Sequence, residues 1–349
     1  MTRTHDRFHP GEEWLDTAGR PIQAHGGSVM EIDGTYYWYG ENKELTTPGS
    51  GIWHWGVRCY SSTDLYNWTD EGVIIPPDEE DPASPLHPAR GMDRPHIVRS
   101  ARTGKFVCWV KVMAGSTQLS TTLVADSILG PYEKVNVDFR PLGMNAGDFD
   151  LVQDPHDGKP YYVFERVHTE LIVADLTDEC TDVSGYYSTH FHHGRPPFTR
   201  EAPAHFYRQG RHYLLTSGTT GYYPNWSEAA TARTMHGPWE VVGDPHPDDD
   251  SRTSYRTQIS SVFQVPGKKD LYIALGDRWL PDYEADGAEA YELFDEYFAR
   301  IDAGEPDTGM RELTEPDTSR ARYVWLPIRF DGDRPIIDWR DEWSLDEFD

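Results

Sequence analysis

The sequence predicts an all-β protein built as a five-bladed β-propeller, with a short helical insertion in the last blade. Two observations on the 349-residue chain indicate this fold class. Aromatic residues make up 13% of the chain, whereas long helical patterns are scarce and Gly and Pro interrupt the sequence throughout. A unit of two strands also recurs along the chain. One domain over residues 1–349 is expected to contain all the copies.

Each copy of the unit consists of a strand, a short turn with Gly or a charged pair, and a second strand rich in aromatic residues. Equivalent positions lie 68, 53, 53 and 58 residues apart, at Ser28, His96, Phe149, Ala202 and Ser260. Two strong strands in each copy leave room for two weaker ones, which is typical of propeller blades. A pair of β-sandwiches is the alternative, but its strands would show Greek-key spacing without a repeat of this length.

The strands can be assigned in chain order. The five copies cover residues 26–42, 94–112, 148–166, 200–225 and 259–279. Weaker strands follow the strong pairs: residues 58–68 predict a third strand and the turn into a fourth. A Gly-Pro-aromatic turn stands at the same point of the second and fourth copies, at 130–132 and 237–239. Residues 323–330 and 335–343 supply the closing strands.

Residues 282–320 interrupt the fifth copy. Their apolar residues include i, i+3 and i+4 spacings, which predict a short amphipathic helix: Ala288, Tyr291, Leu293, Phe294, Tyr297 and Phe298. The charged positions are expected to form a solvated face. Because the insertion leaves the fold directly after Trp279, it is also placed to cap a pocket or to meet a partner chain.

Composition excludes several classes of partner. The formal net charge of −27 argues against nucleic acid and anionic membranes, and no run of eighteen apolar residues indicates a membrane span. Cys59, Cys108 and Cys180 are an odd number without metal-ligand spacing, so buried thiols are expected. The first residues contain no apolar segment of a secretory signal, which predicts a cytoplasmic protein. The oligomeric state is left open.

Residues just before the innermost strands should converge at one end of the propeller axis. These residues are Gly26, Asp93, Asp148, Glu201 and Gln258. Like charges placed together raise one another's pKa and cost folding free energy, so three acids and an amide at one cavity indicate chemistry. Paired carboxyl groups with one kept protonated are the requirement for hydrolysing a glycosidic bond. Glu201, next to the rigid Pro203, suits the general acid.

Aromatic residues near the same positions supply flat apolar surfaces on which sugar rings can stack. They are Trp38, Tyr39, Trp53, Trp55, Tyr222, Tyr223, Trp226 and Trp279. Core packing is the alternative for each of them. The sequence contains no carboxylate-rich loop with calcium spacing and no His-based zinc motif, so no catalytic metal is expected.

The chain resembles the family 43 glycoside hydrolases, five-bladed propellers that cleave terminal sugars with inversion, and in particular their exo-β-1,3-galactanase branch. Eight segments in order carry the resemblance over most of the chain outside the insertion: 22–43, 59–68, 93–98, 147–162, 201–225, 254–258, 276–279 and 323–328. A short motif such as Gly-Asp-Arg-Trp at 276–279 is weak alone, whereas eight such segments in order are specific.

The resemblance implies a role for each matching residue. It makes Glu201 the general acid and Asp148 the residue that tunes the pKa and orientation of Glu201. Other members carry an aspartate base where Gly26 stands, and the branch instead uses a glutamine, here Gln258, to handle the attacking water. Asp93 is implied to hold the sugar. The other residues expected to bind substrate are His25, Tyr39, Glu41, Tyr222, Asp277, Arg278 and Trp279.

A neutral amide oxygen is a poor proton acceptor. Either Gln258 passes the proton of the water through its imidic tautomer, or Asp93 takes that proton; the sequence leaves both open.

The expected activity is therefore release of galactose from the non-reducing end of β-1,3-linked galactan or galacto-oligosaccharides, with inversion and without a cofactor. A structural Ca²⁺ on the propeller axis is compatible with the resemblance. Two alternatives stay open. One is the same machinery acting on another terminal sugar such as arabinofuranose. The other is a carbohydrate-binding propeller that has lost catalysis, which Gly26 suggests and which the presence of both Glu201 and Asp148 argues against.

Overall fold

Five antiparallel sheets of four strands surround one axis in the computed structural model, which describes residues 5–115, 117–284, 286–307, 309–310 and 316–349. Within this part of the chain, the first strands of the sheets contact one another in a closed ring. Those strands therefore line the axis, and each sheet extends outward as a blade. The predicted five-bladed β-propeller is confirmed.

The strands of each blade follow one another in sequence. Blade 1 contains β1 (His25–Ile32), β2 (Thr35–Glu41), β3 (Val57–Ser62) and β4 (Thr69–Ile75). Blade 2 contains β5 (Gly91–Arg99), β6 (Phe106–Ala114), β7 (Thr117–Ala125) and β8 (Glu133–Phe139). Blade 3 contains β9 (Ala146–Gln153), β10 (Pro160–Arg166), β11 (Glu170–Leu176) and β12 (Val183–His190). Blade 4 contains β13 (Arg200–Arg208), β14 (Arg211–Gly218), β15 (Glu228–Ala232) and β16 (Glu240–Gly243). Blade 5 contains β17 (Gln258–Gln264), β18 (Tyr272–Arg278), β19 (Arg322–Asp331) and β20 (Arg334–Ile337).

The core lies between neighbouring blades rather than at the axis. Each pair of adjacent sheets encloses one apolar cluster, because alternate side chains of a strand point to opposite faces. The cluster between blades 5 and 1 also takes in the N-terminal segment, where Phe8 pairs with the main chain of Trp343 and stacks on its ring at 4.2 Å. Residues near both ends of the described chain thus join the first and last blades. The three cysteines are buried free thiols, as predicted.

β-bulges interrupt the innermost strands close to one end of the axis. The pairing register skips two residues after His25, after Asp93 and after Glu201. A bulge bends the strand and changes the direction of its side chains. The register therefore makes His25, and not the predicted Gly26, the equivalent of Asp93 and Glu201. In blade 3 Asp148 itself is one of the residues left out of the pairing. The spacing of apolar residues in the sequence could not reveal the extra residues of these bulges.

Helix α1 (Gly287–Asp302) is inserted between β18 and β19 of the last blade, as predicted. Asp286 caps its first turn by accepting a hydrogen bond from the main-chain N–H of Ala288 at 2.7 Å. Residues 285, 308 and 311–315 of the predicted insertion lie outside the described residues. In the described part of the chain, no helix combines the length and the apolar character needed to cross a bilayer.

Candidate active site

A cavity of about 320 Å³ lies where the innermost strands begin. Asp93, Asp148, Glu201 and Gln258 line it, each from a different blade. The structure thus brings the three predicted catalytic residues together with Asp93, which was predicted to bind the sugar. The cavity is where their chemistry must be assessed.

Asp148 is held as an ion by two cations. Its Oδ1 lies 2.8 Å from the Nζ of Lys111, and its Oδ2 lies 3.0 Å from the Nη2 of Arg94. Burial by itself would raise the pKa of Asp148, but the charges and hydrogen bonds of Arg94 and Lys111 hold it at about 2. Asp148 is therefore a carboxylate throughout the neutral range.

Glu201 is held in the opposite state. Only 9% of this residue is exposed, and burial raises the pKa of its carboxyl group well above the ordinary value. The negative charge of Asp148 and the buried Glu165 raise that pKa further, whereas Lys111 and Arg94 oppose them. Glu201 is thus a carboxyl group that keeps its proton at higher pH than an exposed glutamate, as a general acid requires.

Gln258 connects the acid to the cationic part of the site. Its Nε2 donates to Glu201 Oε1 at 3.2 Å and to Ser217 Oγ at 2.9 Å. Its Oε1 accepts from the guanidinium of Arg94 and from the indole N–H of Trp279, the latter at 3.3 Å. Arginine and tryptophan can only donate, so the amide oxygen must be the atom that faces them. Both of its acceptor positions are consequently occupied.

Asp93 is fixed by three donors. Lys111 Nζ lies 3.1 Å from its Oδ2, while Lys43 Nζ at 3.7 Å and the indole N–H of Trp53 at 2.6 Å approach its Oδ1. Although burial opposes ionisation, Lys111 and Lys43 hold the pKa of Asp93 below its ordinary value. A carboxylate held in this way can accept a hydroxyl group of a sugar, but it is a weak base.

Glu41, the last residue of β2, is the fourth acid at the cavity. Its Oε1 accepts from the main-chain N–H of Arg94 at 2.9 Å, and its Oε2 lies 2.7 Å from Lys43 Nζ. Burial raises the pKa of Glu41 to about 7, with Lys43 opposing the shift and Asp93 adding to it. This carboxyl group therefore changes its charge near neutral pH.

Aromatic rings form one wall of the cavity. The centroid of Tyr222 lies 6.0 Å from that of Trp53 and 5.1 Å from that of Trp279, and all three residues line the cavity. The other aromatic residues considered in the sequence are not among the lining residues: Trp38, Tyr39, Trp55, Tyr223 and Trp226. Trp38 and Tyr39 belong to the clusters between blades, where core packing explains them.

His25 and Asp277 lie behind the cavity wall rather than at it. His25 Nδ1 is 3.0 Å from Asp277 Oδ1, and Asp277 Oδ2 accepts from the main-chain N–H of Gly26 at 3.0 Å. His25 is fully buried, and burial lowers its pKa, so the ring is neutral. The pair fixes the main chain next to the cavity, and neither residue is among those that line the cavity itself.

Tyr39 and Arg278, which the sequence predicts to bind substrate, are also not among the residues that line the cavity. The hydroxyl of Tyr39 accepts from the main-chain N–H of Ile97 at 3.0 Å and joins blades 1 and 2. Arg278 donates to the carbonyl of Tyr255 at 2.9 Å and lies over the ring of Trp339. Arg278 is the last residue of β18, whereas Trp279, which follows the strand, lines the cavity.

The three buried cations Lys43, Arg94 and Lys111 were missed from the sequence. Lys111 gives a signal, because a lysine within the apolar run of β6 needs a partner when it is buried. It stands directly opposite Asp93 in the strand pairing. Lys43 and Arg94 follow Glu41 and Asp93 closely in the chain, so an acid followed by a cation marks both places in the sequence.

Helix α1 covers part of the cavity. Phe294 and Phe298 are lining residues, and Phe298 meets the ring of His168 edge-on at 5.3 Å. Tyr291 stacks on Trp226 at 3.7 Å and so fastens the helix to blade 4. Of the roles considered for the insertion, the cap on a pocket is the one observed.

Among the described residues, no group of three or more His, Cys, Asp or Glu side chains is arranged to hold a metal ion.

Comparison with known proteins gives a family and several structural relatives. The sequence profile of Glycosyl hydrolases family 43 matches residues 20–287. No curated protein sequence matches the chain significantly. One similar solved structure is a GH43 β-1,3-galactosidase with 27% identity and a TM-score of 0.80, covering 99% of this chain and 65% of its own. This chain therefore spans about two thirds of that relative.

Two further structures are similar. A second GH43 β-1,3-galactosidase, solved with galactodeoxynojirimycin, has 26% identity and a TM-score of 0.78, over 97% of this chain and 100% of its own. An exo-β-1,3-galactanase from Clostridium thermocellum has 25% identity and a TM-score of 0.74, over 96% of this chain and 66% of its own.

Proposed function

Because the chain belongs to glycosyl hydrolase family 43, we propose that it is an inverting exo-glycoside hydrolase. Its proposed substrates are β-1,3-linked galactan or galacto-oligosaccharides, from which it releases galactose at the non-reducing end. The observation that carries this proposal is the pair of carboxyl groups in opposite states, Glu201 with a raised pKa and Asp148 with a pKa of about 2, at one cavity. Glycoside hydrolysis requires such a protonated acid.

In the proposed reaction Glu201 gives its proton to the glycosidic oxygen as the bond to the anomeric carbon breaks. The hydrogen bond from Gln258 occupies Oε1 of Glu201, which leaves Oε2 to carry the proton. Asp148 stays ionised because of Arg94 and Lys111 and keeps the pKa of Glu201 high through its negative charge. Donation of the proton and retention of that proton until the bond breaks are thus both assigned to side chains of the cavity.

Cleavage at the end of a chain is supported by the size and closure of the cavity. Its volume of about 320 Å³ lies at the lower end of the range of about 300–1,000 Å³ for small-molecule sites. The rings of Phe294 and Phe298 close one side, and the aromatic wall of Trp53, Tyr222 and Trp279 offers stacking surfaces for a sugar ring. Such a pocket suits one terminal residue better than the middle of a polymer.

The choice of galactose is supported by the two relatives that are β-1,3-galactosidases, one of which is covered over its whole length. Asp93 and Glu41, on the same side as the aromatic residue Trp53, are the acceptors proposed to select the hydroxyl groups of the sugar.

A panel of substrates tests the proposal. The purified protein should release galactose from β-1,3-galactobiose and leave aryl α-arabinofuranosides uncleaved. NMR of the first product should show α-galactose, since inversion at a β-linkage gives the α-anomer. Release of arabinose would replace galactose as the substrate sugar, and β-galactose as first product would contradict inversion. Binding of galactobiose without turnover would favour a carbohydrate-binding protein.

A further inference from the structure

Two polar side chains at the cavity make no side-chain hydrogen bond to any of the described residues. They are Gln118, the second residue of β7, and His168, in the turn between β10 and β11. The charged side chains of the cavity are all paired, as the contacts of Asp93, Asp148 and Glu201 illustrate. Polar groups left unpaired at a cavity indicate a bound ligand, and the ligand inferred below rests on the proposed function.

The amide of Gln118 lies beside the strand that carries Asp148. A Cβ at Gly147, the residue before Asp148, would lie 3.3 Å from Oε1 of Gln118. This oxygen is buried without a hydrogen-bond donor. Half a turn about the last bond of the side chain exchanges the oxygen and the NH₂ group, so Gln118 can offer the cavity either an acceptor or a donor.

The ring of His168 is held at the cavity by two contacts. The edge of Phe298 meets it at 5.3 Å, and the main-chain N–H of His168 donates to Oε1 of Glu165 at 2.6 Å, which fixes the turn. Burial lowers the pKa of His168, and the charge of Lys111 lowers it further, so the ring is neutral. A neutral imidazole offers one donor and one acceptor, the combination that pairs with sugar hydroxyl groups.

The position of these two residues assigns them to the leaving group. The terminal galactose is proposed to lie against Trp53 and Asp93, which are joined by a hydrogen bond of 2.6 Å and belong to blades 1 and 2. His168 belongs to blade 3, which is not a neighbour of blade 1. Because Glu201 protonates the oxygen between the terminal sugar and the leaving group, the leaving group extends from that oxygen towards His168.

Helix α1 closes this side of the cavity as a fixed wall. Tyr291 stacks on Trp226 at 3.7 Å, and its hydroxyl accepts from the guanidinium of Arg200 at 3.4 Å. Arg200 directly precedes Glu201 on β13, so the helix is fastened to the strand that carries the acid. The rings of Phe294 and Phe298, which line the cavity from the same helix, are therefore held in place beside the leaving group.

We propose that helix α1, His168 and Gln118 form a leaving-group subsite that accepts one unsubstituted galactose unit and excludes a branch on that unit. The C–H face of this sugar packs on Phe294 and Phe298, and its hydroxyl groups bond to His168 and Gln118. A branch would have to displace a helix that is fastened to blade 4. The preferred substrates are therefore linear β-1,3-galacto-oligosaccharides, and branched galactan is a poor substrate.

A pair of substrates tests the exclusion of branches. β-1,3-Galactobiose is compared with the trisaccharide whose reducing galactose carries a second galactose in β-1,6 linkage. Wild-type kcat/KM should be about 10–100-fold lower for the branched trisaccharide, the scale of discrimination by pocket shape. Phe298→Ala should narrow this ratio at least about fivefold. Tyr297→Ala is the matched control and should keep the wild-type ratio, because Tyr297 does not line the cavity. Equal wild-type kcat/KM for the two substrates would overturn the exclusion.

Two variants test the polar contacts. Gln118→Met keeps the length of the side chain, and His168→Gly suits the φ of 59° at this position. In each, kcat/KM for galactobiose should fall about 10-fold, the value of one hydrogen bond. Turnover of a dinitrophenyl galactoside, whose leaving group has no sugar hydroxyl groups, should stay within about twofold. His192→Ala, at an exposed residue outside the cavity lining, is the control.

Stability separates substrate binding from a structural role. Because Gln118 makes no side-chain hydrogen bond among the described residues, Gln118→Met should not lower Tm. An equal loss of kcat/KM on both substrates, or wild-type kcat/KM for galactobiose in both variants, would overturn the subsite. Wild-type protein that cleaves no galactoside would overturn the proposed function itself.

Discussion

Replacement of Glu201 by glutamine isolates the proton transfer from every other property of the site. The variant E201Q keeps the volume of the side chain and an oxygen that can accept from Gln258 Nε2, now at 3.2 Å from Glu201 Oε1. Asp148 keeps its contacts with Arg94 and Lys111. Sugar binding is therefore expected to survive, whereas the leaving group no longer receives a proton.

The expected loss follows from the burial of the site. General acid catalysis contributes about 10²–10⁴-fold, or roughly 3–5 kcal/mol of activation free energy. Only 9% of Glu201 is exposed, so bulk water cannot easily take over as the acid. For β-1,3-galactobiose, the loss in kcat should lie near the upper end, about 10⁴-fold. A dinitrophenyl galactoside releases a stable phenolate without a proton, and its kcat should fall by less than about tenfold on the same reasoning.

The assay measures kcat and KM of wild type and E201Q with both substrates. An equal loss on the two substrates would refute the assignment of Glu201 as the acid, and so would full activity on galactobiose. Stability gives a second readout. Because the pKa of folded Glu201 is raised, ionisation of this group costs the folded protein stability as pH rises above the ordinary value of 4.5. E201Q should therefore have a higher Tm than wild type at pH 8 and an equal Tm at pH 4.

Three further predictions concern the neighbours of Glu201. Asp148→Asn removes a negative charge that raises the pKa of Glu201, so the basic limb of the pH profile of kcat/KM should move to lower pH. A basic limb at the wild-type position would contradict the electrostatic role of Asp148. Arg94→Met leaves buried Asp148 and Gln258 without their shared donor, so the free energy of unfolding measured in urea should fall by about 3–5 kcal/mol. The double variant with Asp148→Asn should recover part of this loss. Phe298→Ala opens the side of the cavity that helix α1 closes, so KM for galactotriose should change more than the inhibition constant of galactose. Tyr297→Ala is the control, because Tyr297 does not line the cavity. Equal effects of the Phe298 and Tyr297 substitutions would argue against a wall at Phe298.

The fold could be predicted because every blade must bury two faces. That need imposes aromatic and β-branched residues on two strands of each copy, and the resulting period survives in the sequence. The helix could be predicted for a similar reason, since Tyr291 and Phe294 lie on one buried face. The bulges could not be predicted, because an extra residue such as Arg94 or Ala202, with φ of 55° and 48°, leaves no mark in the apolar pattern.

The acids of the site were found because a carboxyl group ahead of a buried strand is conspicuous. The cations were missed because their function depends on pairing across strands: Lys111 matters only once it is seen opposite Asp93. His25, Tyr39, Asp277 and Arg278 were predicted to bind substrate, and the structure places them outside the lining of the cavity. They occur in segments that match the family, but the side on which each side chain points is set by bulges and strand alternation, which a motif does not contain.

Gly26 shows how a residue can be interpreted in two ways. From the sequence it suggested a lost base. In the structure it is the gap through which Glu41 reaches the cavity, at 2.5 Å from the position of the missing Cβ. Glu41 lies on β2 directly opposite His25 of β1, next to Gly26, and this proximity is visible only in the folded sheet.

The most direct measurement is a crystal structure of E201Q with β-1,3-galactobiose bound. The side chain at position 201 should lie about 3 Å, a hydrogen-bond distance, from the glycosidic oxygen. A disaccharide bound with its glycosidic oxygen away from position 201, or bound outside the cavity, would contradict proton donation by Glu201.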